Sequence, residues 1–243
     1  MSLGPTHKPD PLRGAQMGVG GRLALDPIAA DVLAKLSAFP AAEEVVLGGY
    51  LALSTWVNYR GTHDIDAWWK GQLNRATLDA IDKVMSEVAA ERGLTYTKRE
   101  FSETVSFELS SAAKPKPEKV FSFQIATRTV QISEPTPSAW APIQIESFED
   151  NVGSKMNALV NRGAPRDFTD IKAVVDAGLI TPQRCLELWL VKNTGQSIDS
   201  AKNSVALHLA GLEQRRPLDS IKDPVQRRSA EEVRTWFRTT FVK

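Results

Sequence analysis

Residues 45–69, VVLGGYLALSTWVNYRGTHDIDAWW, constrain this chain more than any other stretch. Val45-Val46-Leu47 suits a short buried strand, and Gly48-Gly49 ends it. Residues 50–59 read as a helix, with Leu51, Ala52 and Leu53 available for packing. Residues 63–68 alternate, with Asp64 and Asp66 on one face and Ile65 and Ala67 on the other, the period of a half-buried strand. Strand, glycine turn, helix and strand in such quick succession commit this region to mixed α/β packing. A strand whose two glycines open a helix turns backbone N–H groups and a helix N-terminus outward together. That geometry cradles phosphate, and glycine lets it approach closely. Asp64 and Asp66 on the next strand are placed to share divalent metal ions, which clamp the attacking and leaving oxygens of a phosphoryl or nucleotidyl transfer.

Other readings of these residues fail on their neighbours. A calcium-binding EF-hand loop needs a glycine at its sixth position and a glutamate at its twelfth, where Arg75 stands. A metal phosphohydrolase built on His63-Asp64 needs several more histidines, and only His7 and His208 remain. Gly18-Val19-Gly20-Gly21 has no strand before it, which a dinucleotide-binding loop requires. The Gly- and Pro-rich residues 1–25 are read as a flexible arm.

From Asp26 onward the periods are regular. Asp26-Pro27 caps a helix on which Ile28, Val32, Leu33 and Leu36 share a face. A helix over residues 77–91 buries Leu78, Ile81, Met85 and Val88 and stops at Gly93. Strand-like segments follow at 94–98, 104–109 and 120–132, with a polar loop at 112–117. After Trp140-Ala141-Pro142 the sequence turns helical. Ser147 with Asp150 resembles a capping box for a helix through about Asn161. Further helices are expected over 167–177, from Thr181-Pro182, over 198–212, and from a Ser229–Glu232 cap to about Phe241. The expected organisation is an arm (1–25), an α/β core (26–142) and a helical region (143–243).

Composition excludes several classes. Apolar residues make up 42% and charged residues 24% of the 243, with a formal charge of +1. That rules out a strongly basic coat protein. No apolar run approaches the roughly 18–20 residues of a membrane span. The first sixteen residues lack the apolar stretch of a secretory signal. The single cysteine, Cys185, excludes an internal disulfide framework and suits a reducing compartment. The expected location is therefore the cytoplasm. Residues 151–243 carry 15 Lys and Arg against 10 Asp and Glu, an excess of +5 that a solvated helix surface explains as well as a phosphate-binding face does.

Gly48-Gly49 followed by Arg60-x-Thr62-x-Asp64-Ile65-Asp66 resembles the motif of polymerase-β-like nucleotidyltransferases, and more narrowly of the AbiEii/AbiGii toxin-type family. The second block agrees: Lys155, Ala158-Leu159, Arg162 and Arg166-Asp167-Phe168-x-Asp170-Ile171. The resemblance spans residues 45–177. It implies an α+β fold with a mixed sheet, flanking helices and a helical C-terminal region that completes the site. It implies Mg²⁺ on Asp64 and Asp66, and Gly48-Gly49 against the outer phosphates of a nucleoside triphosphate. Lys155 would neutralise charge as pyrophosphate leaves. Arg60 and Thr62 would position the catalytic turn. Asp167 and Asp170, three apart on one helical face, would orient Lys155 or Arg60 or contact the acceptor; helix capping is the other role open to Asp167. The implied acceptor is RNA, such as a tRNA end, with a protein or small molecule as the other acceptors open to this superfamily, in a toxin–antitoxin or phage-defence setting with an antitoxin partner.

One departure stands out. The superfamily places a third carboxylate on a neighbouring strand, where this sequence has Gln124. Glu108 on the preceding strand is the candidate substitute, as third metal ligand or as an edge salt bridge. Two other readings follow: a non-catalytic nucleotide-binding module with a degenerate metal site, and a nucleic-acid binder using its C-terminal helices. Trp68 or Trp69 walls the pocket, stacks on a base or packs in the core, and Cys185 reads as a buried apolar residue.

Overall fold

A computed structural model describes residues 25–112 and 117–243. The arm, with His7 and Gly18–Gly21, and most of the polar loop at 112–117 lie outside the described residues. In order, the elements are α1 (Pro27–Leu36), β1 (Val45–Leu47), α2 (Gly49–Leu53), β2 (Asp64–Trp69), α3 (Arg75–Arg92), β3 (Thr95–Phe101), β4 (Thr104–Ser110) and β5 (Lys119–Ala126). Then come β6 (Thr136–Pro137), β7 (Gln144–Ile145), α4 (Phe148–Asn161), α5 (Pro165–Asp176), α6 (Pro182–Lys192), α7 (Ile198–Arg215) and α8 (Pro224–Trp236).

The strands form one mixed sheet in the order β3-β4-β5-β2-β1-β7-β6. β2 runs parallel to β5 and β1 parallel to β7, while the other pairs are antiparallel. Alternation sorts the faces. Ile65, Ala67 and Trp69 of β2, Phe107 of β4 and Phe121, Phe123 and Ile125 of β5 are buried under Val32, Leu33 and Leu36 of α1 and Ile81, Val84 and Val88 of α3. Each such side chain contributes about 1.5–3 kcal/mol by leaving water. The opposite face carries Asp64, Asp66, Ser122, Gln124 and Glu108. The sheet's edges discourage further pairing: β3 carries Lys98, Arg99 and Glu100, and β6 carries Pro137.

The C-terminal helices bury their own core, including Met156, Leu159, Phe168, Leu188, Val205 and Phe237. Tyr50 and Leu53 of α2 pack with Val174 of α5 and tie the two cores together. Among the described residues no helix is long and apolar enough to cross a membrane.

Several expected boundaries move, each for a reason visible in its hydrogen bonds. The helix expected over 50–59 is a single short turn. The Ser54 and Thr55 hydroxyls donate to the Leu51 and Ala52 carbonyls, and the Tyr59 and Arg60 N–H groups bond to the Tyr50 hydroxyl, which folds the chain back. The strand expected over 120–132 leaves the sheet after Ala126, because the Ile132 and Ser133 N–H groups bond to Asp150. That use of its carboxylate also leaves the Ser147–Asp150 box half made: Ser147 caps the Asp150 N–H. The last helix starts at Pro224, capped by Asp223, and not at Ser229. The sheet also continues past residue 142, where Gln144–Ile145 lies against β1. Asp26, Asn74 and Thr181 cap α1, α3 and α6, and Gly93 ends α3 at φ 64°.

Candidate active site

Asp64 and Asp66 share the open face of the sheet at the floor of a cleft roofed by α4 and the start of α5. The cleft has two adjoining cavities. One, of about 330 Å³, is lined by Arg60, Asp64, Lys119, Ser122 and Arg166. The other, of about 270 Å³, is lined by Gly49, Trp68, Ala126, Asn151, Ser154 and Ala158. Asp66, Gln124, Lys155 and Arg162 border both. Asp66 therefore stands between a cationic chamber and a less charged one.

The glycine turn is shaped around the aspartates. Gly49 has φ +60°, and a Cβ there would come 2.2 Å from Asp66 Oδ2. A Cβ on Gly48 would meet Trp68 Nε1 at 2.5 Å. Close approach, not only a turn, requires both glycines. The Gly48 N–H donates to the Asp66 carbonyl at 2.8 Å, so the pair does not turn both N–H groups outward as the sequence suggested, and the helix behind them spans only five residues.

Asp64 Oδ1 accepts hydrogen bonds from Ser122 Oγ at 2.6 Å and Lys119 Nζ at 3.2 Å. Partial burial pushes its carboxyl up, but these bonds and the charges of Lys119 and Arg166 outweigh that and hold it below the usual carboxylate range. Thr62 brackets the start of β2, donating to the Asp64 carbonyl and accepting from the Asp64 N–H.

Behind the cleft sits Asp170, with a fully buried side chain. It accepts from Lys155 Nζ at 2.6 Å, from Arg60 Nε and Nη2 at 3.1 and 3.2 Å, and from the Tyr59 hydroxyl. Burial first, then the Asp170 charge, keep the Tyr59 hydroxyl protonated well above its ordinary range. The Arg60 guanidinium also lies 3.8 Å from the Tyr50 ring centroid, which locks its direction. Asp167, 1% exposed, takes a bidentate bond from Arg162 at 2.9 Å and the Ala164 N–H at 2.9 Å. It holds Arg162 and the helix start, and does not face the cleft floor.

Gln124 lies directly opposite Asp66 across the β2–β5 pair. Glu108 does not join the aspartates. Ser122 lies between it and Asp64 in the strand register, and its carboxylate accepts instead from Ser110. Among the described residues no group of three His, Cys, Asp or Glu side chains is placed to hold a metal ion. Trp68 lines the cleft, and Trp69 is buried in the core.

Sequence reasoning missed Glu146, wholly buried at the end of β7. It accepts from Trp68 Nε1 at 3.1 Å, from Asn151 Nδ2 at 2.6 Å and from Arg128. Burial pushes its carboxyl up, against the pull of Arg128 and Asn151. Asn151 also donates to the Gly49 carbonyl at 2.8 Å, so Glu146 braces the glycine turn from below. Asp150 beside it pairs with Lys192 at 2.7 Å and Arg128 at 3.2 Å. No local sequence signal marks Glu146, which precedes the segment read as a helix start at Ser147.

A family model described as "Nucleotidyl transferase AbiEii toxin, Type IV TA system" matches residues 31–237. No curated protein matches the chain. A solved structure described as the crystal structure of JHP933 from Helicobacter pylori is similar, with TM-score 0.49 and 15% identity over 88% of this chain and 89% of that one.

Proposed function

Since this chain belongs to the AbiEii nucleotidyltransferase toxin family of type IV toxin–antitoxin systems, we propose that its cleft transfers a nucleoside monophosphate from a nucleoside triphosphate to an acceptor hydroxyl on RNA, such as a tRNA end. The observation that carries this reading is the placement of Asp64 and Asp66 on one open face, with Gly49 pressed against Asp66 and Lys155 and Arg162 on the facing helix. The acceptor hydroxyl gives its proton to solvent as its oxygen bonds to the α-phosphorus, the bond from that phosphorus to the bridging oxygen breaks, and pyrophosphate leaves.

The donor set suits magnesium. Asp64 and Asp66 offer hard oxygen ligands, Gln124 adds a neutral one, and Mg²⁺ is held by one or two carboxylates completed by substrate phosphates and water. When bound, the metal supplies positive charge at the reacting phosphate and its leaving group. The chain's own residues do the rest. Lys155, aimed by Asp170, and Arg162, aimed by Asp167, place fixed positive charge beside the phosphates, needing no reorganisation as negative charge develops. Gly48 and Gly49 let the turn close onto Trp68 and Asp66, which sets the Asp66 carboxylate at the boundary of the two chambers. The cationic chamber takes the triphosphate, and the less charged chamber takes the nucleoside.

Gln124 opposite Asp66 favours a second reading, a nucleotide-binding module without efficient transfer. One experiment separates the two: incubation with each α-³²P nucleoside triphosphate, Mg²⁺ and total RNA, comparing wild type with Asp66→Ala. Label on RNA that requires Asp66 supports the transferase. Mg²⁺-dependent nucleotide binding without any labelling supports the module. Neither labelling nor binding rejects both. An antitoxin partner follows from the family; the cytoplasm, where RNA acceptors are synthesised in bacteria, is the proposed location.

A further inference from the structure

Five cationic side chains line the charged chamber: Arg60, Lys119, Lys155, Arg162 and Arg166. Three are fixed from behind by buried carboxylates, Arg60 and Lys155 by Asp170 and Arg162 by Asp167. Lys119 is different. Among the described residues it is the one cation of this chamber whose ion-pair partner, Asp64, is itself a proposed metal ligand.

This contact depends on an irregularity in the sheet. Along β4 and β5, Leu109 pairs with Phe121, but Ser110 pairs with Lys119, skipping Val120. Regular pleating would put Lys119 on the face of Phe121, inside the core. The extra residue turns it onto the opposite face, beside Ser122 and Asp64. Bulges re-aim side chains in this way next to functional sites. The ammonium then reaches both Asp64 Oδ1, at 3.2 Å, and Ser122 Oγ, at 3.4 Å.

We infer that Lys119 is a resident counter-ion of Asp64, which a divalent metal must displace and which then turns to the phosphates sharing its chamber. This rests on the metal-dependent reading above. Lys119 opposes metal binding by the protein alone, because Asp64 must give up an ion pair before it can ligate. With a triphosphate in the chamber the displaced ammonium gains a new anionic partner, so the cost of displacement falls. Metal and nucleotide would in consequence bind together better than either binds alone. Lys119 is on this view a positioning residue whose function is to couple metal binding to nucleotide binding.

The test uses the full chain and Mn²⁺ alone, followed by electron paramagnetic resonance of free metal. Lys119→Gln should bind Mn²⁺ about two- to fivefold more tightly than wild type, the fold-change corresponding to loss of a half-exposed ion pair. Arg166→Gln, which removes the same charge from the same chamber without touching Asp64, should have a smaller effect. A second measurement needs no variant: acetylation of Lys119 in wild type, read by mass spectrometry, should speed up when Mn²⁺ is added. Unchanged or weaker Mn²⁺ binding by Lys119→Gln, an equal effect of Arg166→Gln, or acetylation indifferent to Mn²⁺ would overturn the inference. If Mn²⁺ binding requires Asp66 and Lys119 is indifferent to it, this inference alone fails. If neither wild type nor Lys119→Gln binds Mn²⁺, the metal-dependent reading fails with it.

Discussion

Lys155 Nζ stands 2.6 Å from an Asp170 carboxylate oxygen that has no contact with solvent. The lysine is presented to the cleft, and the aspartate that fixes it is not. Charge facing the cleft is therefore set by a carboxylate that the cleft does not expose. Asp170→Asn should leave Lys155 and Arg60 without their shared counter-charge. Breaking a buried pair in this way costs roughly 3–5 kcal/mol, read as a lower denaturation midpoint. Lys155→Met removes one of the two cations on Asp170 and leaves Arg60, so it should cost activity and a smaller part of that stability.

Gly49→Ala should fail for two reasons at one position. Its Cβ would come 2.2 Å from Asp66 Oδ2, and its φ of +60° suits glycine. A stability loss of roughly 1–3 kcal/mol is expected from the backbone conformation. Loss of RNA labelling should accompany it, because Asp66 must move to make room. Labelling at the wild-type rate would show that the turn tolerates a side chain.

Gln124→Glu would place a third carboxylate directly across from Asp66. The added charge should tighten Mn²⁺ binding by about tenfold, equivalent to about 1.4 kcal/mol. The same titration with Glu108→Gln should change little, since Ser122 separates Glu108 from Asp64 in the strand register.

Asp150 gives the fold an acid limit. Burial pushes its carboxyl up, but the Lys192 bond and the Ser133 and Ile132 N–H groups pull it below its ordinary value of 3.8. A depressed carboxylate stabilises the fold above the unfolded value and loses that contribution as pH falls through the folded one. Asp150→Asn should be less stable than wild type at neutral pH. The gap should narrow below about pH 4 in urea melts run across pH.

Cys185 should be silent until the protein opens. It is fully buried in the helical core, and burial pushes its thiol from 9.0 up to about 12. Iodoacetamide at pH 8 should modify it only at the rate of unfolding, whereas a reactive thiol would be alkylated at once. Its contribution to stability is complete below about pH 9 and is lost as pH rises towards 12, because only the unfolded chain readily forms the thiolate.

The sequence was most legible where period and capping act locally. The alternation of β2 sorted Asp64 and Asp66 from Ile65 and Ala67, and Asp26 and Thr181 sit where capping chemistry wants them. It was least legible where a distant partner decides. Beyond Val57 the chain folds back, because the Tyr59 and Arg60 N–H groups find the Tyr50 hydroxyl. The 120–132 strand ends where Asp150 captures its backbone. Glu146 has no local pattern at all, and its three partners come from β2, α4 and the loop after β5. The Lys119 side chain faces Asp64 only because one residue slips out of register, which no hydrophobic period announces.

The two-residue strand β7 makes the halves of this chain inseparable. Val45, Val46 and Leu47 of β1 are almost fully buried, and β7 covers the side of β1 away from β2. Truncation after residue 142 would strip that cover and expose an apolar strand edge, a template for intermolecular pairing. A fragment holding every residue of the first motif would thus be expected to form aggregates when expressed alone. Soluble expression of residues 26–142 should need Gln144 and Ile145 in the same polypeptide.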